Sequence, residues 1–202
     1  MSATNPDSNA LPRPHGLAEP SAWVRRWTRL AKPGGSALDI ACGPGRHMAW
    51  FAAQGFAVTG VDRSAEAAQT ARAYGEFVLV DIENAPWPLM QSGSPRRFDV
   101  VVVTNYLWRA LFPTILQSLA PGGVLLYETF AAGNETVGKP SRPDFLLQPG
   151  ELLQACQGLD VVAYENGFLT PPERFVQRIA AVAPAPGKVP HPAPPRYPLS
   201  LE

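Results

Sequence analysis

The sequence predicts an α/β protein: a doubly wound, mostly parallel sheet with one reversed strand and helices on both faces. Three observations predict it. Short apolar runs alternate with helix-period segments between residues 21 and 184. The run from Phe98 to Val103 is nearly all valine, as expected of a central parallel strand buried on both faces. The last two runs, Leu159 to Phe168 and Arg174 to Ala183, are separated only by a short loop at Pro171-Pro172. A parallel crossover needs roughly a dozen residues, so this pair reads as an antiparallel hairpin.

The elements follow in order. A helix is expected from Ser21 to Ala31, with Trp23, Trp27 and Leu30 on one side. A strand runs from Ala37 to Ala41, and a glycine-bearing turn leads to a helix from Arg46 to Gln54, closed by Gly55. Phe56 to Val61 is the second strand. Ser64 caps a helix from Ala65 to Tyr74, and Phe77 to Val80 is the third strand. After the valine strand comes a helix with Pro113 in its first turn, ending near Leu119. Val124 to Phe130 is the fifth strand. Gln148-Pro149-Gly150 opens a helix to about Gln157, and the hairpin closes the fold. Prolines number 23 and crowd both ends. The expected organisation is a flexible segment over 1–20, one domain over 21–184 and a proline-rich tail over 185–202. That tail cannot sustain a helix or a central strand.

Composition narrows the function. The chain has 202 residues, 46% hydrophobic and 17% charged, which suits one globular domain. Basic and acidic residues both number 17, so there is no cationic excess to favour long nucleic acid as a partner. Cys42 and Cys156 lie far apart and form no CxxC pair, which argues against zinc and suits reduced thiols. The first twenty residues lack the apolar core of a signal peptide, and no apolar run nears the roughly 18 residues of a membrane span. A soluble, cytoplasmic protein is expected.

The segment from Leu38 to His47 carries the chemistry. Gly43 and Gly45 at the tip of the first strand allow close backbone approach to a ligand, and the helix start at Arg46 exposes amide donors. A dinucleotide fingerprint requires a third glycine where this chain has Met48, so a nicotinamide-dependent oxidoreductase is disfavoured. Asp62 ends the second strand, where a carboxylate accepts from ribose hydroxyls. Asp81 ends the third strand beside Ile82, placed to meet an adenine. Asn105-Tyr106-Leu107 follows the fourth. Polar groups thus stand at the carboxyl ends of four successive strands, where open α/β sheets bind ligands.

With LDIACGPGRH, VTGVD, VLVDIE, FDVVVVTNYL and APGGVLLYETF in this order, the chain resembles class I S-adenosylmethionine-dependent methyltransferases from about Trp23 to Pro184. The family usually has glycine where this chain has Ala41. The resemblance implies a Rossmann-like seven-stranded sheet of order 3-2-1-4-5-7-6, with strand seven antiparallel. It also implies S-adenosyl-L-methionine as cofactor. Asp39 and the backbone from Ala41 to Gly45 would hold the methionine portion, Asp62 the ribose, and Asp81 with Ile82 the adenine. The candidate cofactor set is Asp39, Ala41, Cys42, Gly43, Gly45, His47, Asp62, Arg63, Asp81, Ile82, Asn105 and Leu107.

FLLQPGELL, VVAYENG and VQRIAAVA are most similar to tellurite-resistance-type methyltransferases and uncharacterised bacterial relatives. The histidine–arginine pair those enzymes carry after the sixth strand is absent from Leu169 to Arg174; Arg178 matches an arginine of that group. The expected activity is methyl transfer to a small-molecule acceptor, without a membrane or nucleic acid partner. Tyr106, Trp108 and the connection from Glu128 to Phe145 would form the acceptor side, with Asn134, Glu135 and Arg142 as first candidates. Trp23 and Trp27 either close the front of the cofactor pocket or pack in the core. The alternative is a degenerate fold acting through its proline-rich tail as an interaction module.

Overall fold

A computed structural model describes residues 17–185 and 195–199. The expectations for 1–16, 186–194 and 200–202 lie outside the described residues. The chain forms α1 (Ala22–Trp27), β1 (Ser36–Ile40), α2 (Arg46–Ala53), β2 (Ala57–Asp62), α3 (Ala65–Ala71) and β3 (Glu76–Leu79). A small hairpin follows, β4 (Met90–Gln91) and β5 (Ser94–Pro95), then β6 (Phe98–Thr104), α4 (Phe112–Gln117) and β7 (Leu119–Phe130). The chain closes with α5 (Glu151–Ala155), β8 (Asp160–Leu169) and β9 (Arg174–Val182). Seven strands form one sheet of order β3-β2-β1-β6-β7-β9-β8. Pairing is parallel as far as β7, and β9 is antiparallel to both neighbours. Once the separate β4–β5 hairpin is set aside, this is the expected order 3-2-1-4-5-7-6.

The valine run behaves as its composition requires. Val101 and Val103 face one apolar layer and Val100 and Val102 the other, all fully buried. Burying each such side chain on folding stabilises by about 1.5–3 kcal/mol. Helices are shorter than the periodicity predicts. Thr28–Leu30 and Arg72–Tyr74 continue α1 and α3 as single 3₁₀ turns. Sequence reading assigned nothing to the hairpin at Met90–Pro95, whose turn is Ser92 and Gly93 with φ of 51° and 80°. Two-residue strands are too short for an alternating pattern, although a Ser-Gly pair is itself a turn signal. Among the described residues no helix is long and apolar enough to cross a membrane.

Met48 stands where a dinucleotide fingerprint has the glycine that lets helix and strand pack closely. In the fold Met48 is fully buried, and the missing volume is supplied by Gly60 on β2. A Cβ built at Gly60 would lie 2.3 Å from the Met48 sulfur and 2.8 Å from the Cys42 sulfur. The glycine that allows close approach stands on the strand instead of the helix.

Beyond the domain, Tyr197 is partly buried against the layer that contains Trp23 and Trp27, and its hydroxyl donates to Asp160 at 3.1 Å. The Leu199 carbonyl accepts from Arg29 at 3.2 Å. Tyr197 and Leu199 therefore lie against their own domain, in a segment, 195–199, that forms neither helix nor strand.

Gly60→Ala overpacks this contact and is expected to cost about 1–3 kcal/mol, because fully buried Met48 has no free space to enter. Denaturant midpoints of the two chains measure it; equal stability would show that Met48 repacks without strain.

Candidate functional site

The site begins where β1 ends. Ala41, Gly43 and Gly45 take φ of 54°, 52° and 88°, and Gly45 leads directly into α2. A Cβ at Gly43 would meet nothing within 4 Å, so that position faces open space and glycine serves its backbone angle. Ala41 adopts a left-handed angle at a cost of roughly 1–2 kcal/mol, a cost that glycine would not carry. The turn is held by Asp62 at the end of β2. One carboxylate oxygen accepts from the Gly43 amide at 2.7 Å, and the other from the Ser64 amide at 2.8 Å. Ser64 in turn caps α3, accepting from the Ala67 amide at 3.1 Å.

Over these strand ends lies a cavity of about 340 Å³. Seven of the twelve candidate cofactor residues line it: Ala41, Asp62, Arg63, Asp81, Ile82, Asn105 and Leu107. Asp81 accepts from the Asn84 side chain at 2.8 Å and from the Glu83 amide at 3.1 Å, and these bonds hold its carboxyl below the usual range. Asn105 sits at φ 54°, an angle its short polar side chain tolerates. Tyr106 also lines the cavity. Burial pushes its phenol up, and the nearby Glu83 carboxylate adds to the effect.

The other five candidates form the wall beneath. Gly43 and Gly45 shape the turn, Cys42 is a buried free thiol, and Asp39 and His47 are each 1% exposed. Burial pushes the Asp39 carboxyl up to about 8 despite Arg46 nearby. One of its oxygens, Oδ2, is buried without a hydrogen-bond partner. Burial pushes His47 down to about 3, with the Arg46 charge adding to the effect, so its imidazole is neutral at ordinary pH. The Ser21 amide donates to His47 Nε2 at 3.1 Å, which leaves the proton on Nδ1, 3.4 Å from the Thr104 hydroxyl. His47 thereby fastens the start of α1 to the start of α2.

The acceptor side departs further from expectation. Tyr106, Thr129, Phe130, Pro140 and Phe145 line the cavity, whereas Trp108 lies outside that lining and is 39% exposed. Asn134 is a buried pin: its amide group donates to the Pro140 carbonyl at 3.0 Å and accepts from the Phe175 amide at 3.2 Å. Glu135 accepts from the Gly133 amide, and Arg142 is an exposed partner of Asp144. None of these three lines the cavity. Trp23 and Trp27 are core residues, 2% and 1% exposed, packed edge to face at 5.6 Å.

Sequence reasoning missed Glu128, Arg46 and Arg174 as a group. Glu128 is 1% exposed at the end of β7, with Arg178 at 3.3 Å and Arg174 at 3.5 Å. Arg178 had been noted only through the resemblance. The available signal was the hairpin register: β9 carries arginines at 174 and 178 on one face, and Arg178 pairs across the strands with Glu128 and Glu165.

Comparison with known proteins agrees with this geometry. A family model described as a methyltransferase domain matches residues 16–161. Malonyl-[acyl-carrier protein] O-methyltransferase of Serratia marcescens is 32% identical over 144 residues, 68% of this chain and 49% of that protein. Trans-aconitate 2-methyltransferase of Paracidovorax citrulli is 37% identical over 98 residues, 44% of this chain and 36% of that protein. The chain thus spans about half the length, or less, of these curated relatives. An S-adenosylmethionine-dependent methyltransferase of Methanosarcina mazei superposes with TM-score 0.61 at 15% identity, covering 83% of this chain and all of that one. TehB from Haemophilus influenzae gives 0.58 at 20% identity, over 74% of this chain and 57% of that one. Those two likenesses concern the fold. From the family match, the sheet order and the glycine turn together, the chain belongs to the methyltransferase-domain family and has the class I, S-adenosylmethionine-dependent fold.

Proposed function

We propose that the chain binds S-adenosylmethionine in the cavity over β1, β2, β3 and β6 and transfers its methyl group to a small-molecule acceptor. The observation that carries this reading is convergence: Asp62, Asp81, Asn105 and the turn residue Ala41 come from four different strand ends to one cavity. The residues present fit the donor. Asp62 retains lone pairs for the ribose hydroxyls beyond the two amides it accepts from. Ile82 and Leu107 offer apolar surfaces for the adenine, with Asp81 at its edge. Asp39 Oδ2, which accepts no hydrogen bond and lies 3.9 Å from His47 Nδ1, is a buried acceptor suited to the methionine amino group, whose positive charge favours the ionised carboxylate.

When bound, the donor supplies an electrophilic methyl on a sulfonium, which leaves as a neutral thioether once the acceptor's lone pair has attacked in line. The protein's part is alignment and exclusion of water, effects that reach about 7–11 kcal/mol in favourable cases. Tyr106, Phe130 and Phe145 give the acceptor side an aromatic wall. His47 is not a proton carrier in this reading, since its ring is buried, neutral and engaged by Ser21. The named activities of the relatives, on malonyl-[acyl-carrier protein] and trans-aconitate, support an acceptor outside nucleic acid. Two buried free thiols, Cys42 and Cys156, suit the reducing cytoplasm.

Two measurements test the assignment. Asp62→Ala is expected to weaken binding of the demethylated cofactor at least about tenfold, the loss of one charged hydrogen bond. Calorimetry reads this, with circular dichroism to check the fold; an unchanged Kd would remove Asp62 from the ribose site. Asp39, raised from 3.8 to about 8, binds its proton more tightly in the folded chain than in the unfolded one. Its contribution to stability is complete below the unfolded value and is lost as pH rises through the folded one. Asp39→Asn has no such dependence, so the melting temperature of the unliganded variant should gain on wild type from about pH 4 to about pH 8. A difference that stays flat with pH would refute the buried, protonated state.

A further inference from the structure

At the ends of β7 and β9, three guanidiniums gather round one buried carboxylate. Glu128 Oε2 lies 3.3 Å from Arg178, and Oε1 lies 3.5 Å from Arg174 and accepts from the Ser21 hydroxyl at 3.1 Å. Arg178 is well satisfied: its Nε donates to Glu165 at 2.7 Å, and its plane lies 4.8 Å over the Trp23 ring. Arg174 is not. Its Nε is buried without an acceptor, and its ion pair with Glu128 is a long one. Arg46 reaches the Glu19 carbonyl and the Thr104 hydroxyl only at 3.5 Å each; burial works against its charge, Asp39 and Glu128 support it, and Arg174 opposes it.

Burying charged donors without acceptors is costly, so two half-satisfied guanidiniums side by side point to an anion that completes them. Arg174 and Arg178 stand against two carboxylates, Glu128 and Glu165, and Arg46 adds a third guanidinium on which Asp39 and Glu128 both act. A monoanionic carboxylate matches the planar fork of arginine, whereas a doubly charged phosphate would face Glu128 with too little compensation. Arg174 stands away from the ribose end of the donor: Asp62 is on β2 and Arg174 on β9, four strand spacings apart in the sheet, about 19 Å at roughly 4.8 Å each. The cluster adjoins the cavity, since Thr129 and Phe130 follow Glu128 directly and line it.

We infer that the methyl acceptor carries a carboxylate and that Arg174, flanked by Arg46, holds it. The inference rests on the methyl-transfer reading and names the acceptor class for it. The test loads the full chain with the demethylated cofactor and titrates it by calorimetry with small mono- and dicarboxylic acids and their neutral amides. In parallel, the same panel is incubated with methyl-labelled S-adenosylmethionine and read by mass spectrometry. The expected result is saturable binding of at least one carboxylate and none of its amide. For a carboxylate that accepts methyl, Arg174→Gln should raise KM about tenfold to a hundredfold, with kcat and cofactor Kd little changed, and Arg174→Lys should recover part of the loss. Should Arg174→Gln fail to fold, Arg46→Gln is expected to raise KM in the same direction.

Cofactor binding without any carboxylate binding would overturn the inference and leave the methyl-transfer reading standing. Loss of cofactor affinity in Arg174→Gln, with acceptor binding intact, would assign the arginine to the donor's own carboxylate and also overturn it. Failure of the wild-type chain to bind the cofactor would overturn both readings.

Discussion

The carboxylate of Asp62 bonds to the amides of Gly43 and Ser64, and much of the candidate site depends on that pair of bonds. One oxygen draws the glycine turn toward β2, and the other holds the residue that caps α3. A turn with three residues at positive φ has many alternatives in a free chain, and ordering each residue's backbone costs about 1–2 kcal/mol. A charged acceptor at a rigid strand end repays part of that cost through hydrogen bonds worth about 1.5–3 kcal/mol. Because Asp62 also lines the cavity, the group that shapes the turn is the group offered to the ligand. In the proposed reading, ligand contact and turn geometry are therefore coupled through one side chain.

Below this surface the charges are arranged against one another. Asp39 is buried and pushed up, His47 is buried and pushed down, and Arg46 at the start of α2 acts on both. The arrangement keeps His47 neutral, so its Nε2 can accept the Ser21 amide and hold the start of α1. Ser21 uses its hydroxyl as well, donating to Glu128 and accepting from the Trp23 amide as the helix cap. A single residue thus joins α1, α2 and β7. The N-terminal helix is consequently part of the wall around the polar cluster, and Trp23, whose indole donates to the Ile179 carbonyl, ties it to β9 as well.

The strands, the closing hairpin and the polar residues Asp62, Asp81 and Asn105 at strand ends were legible in the sequence for a physical reason, while the strand order followed from the resemblance. Parallel strands are buried on both faces and read as apolar runs, and ligands bind at their carboxyl ends, so polar residues there stand out against their neighbours. The Glu128 cluster was not legible in the same way. Its members come from α2, β7 and β9, which are distant in sequence, and their association depends on a register that a run of residues does not reveal. Close packing of α2 was not legible for a related cause: the relief comes from Gly60 on a strand and not from position 48 of the helix. Asn134 is a polar loop residue, yet its amide bonds the Pro140 carbonyl within its own connection and the Phe175 amide on β9. Polarity in a loop therefore marked anchoring as readily as ligand contact.

These anchors bear on how such a site distinguishes acceptors. The proposed cofactor side is made of strand ends, whose positions follow from the sheet and leave little room for variation. The opposite side is the connection between β7 and α5, which has no sheet of its own to position it. It is held instead by Asn134 and by Arg109, which donates to the carbonyls of Asp144 and Leu146 and pairs with Glu151 at 2.7 Å. Pro140 and Phe145, the two residues this connection contributes to the cavity lining, lie beside those anchored points: Asn134 bonds the Pro140 carbonyl, and Arg109 the carbonyls flanking Phe145. Changes in the connection can therefore alter the acceptor wall while the donor side keeps its geometry. Charge at the other end of that wall comes from β9, which is again part of the sheet. Shape would then be set by a pinned loop and charge by a rigid strand, so acceptor size can change without altering the sign of the charge the site recognises.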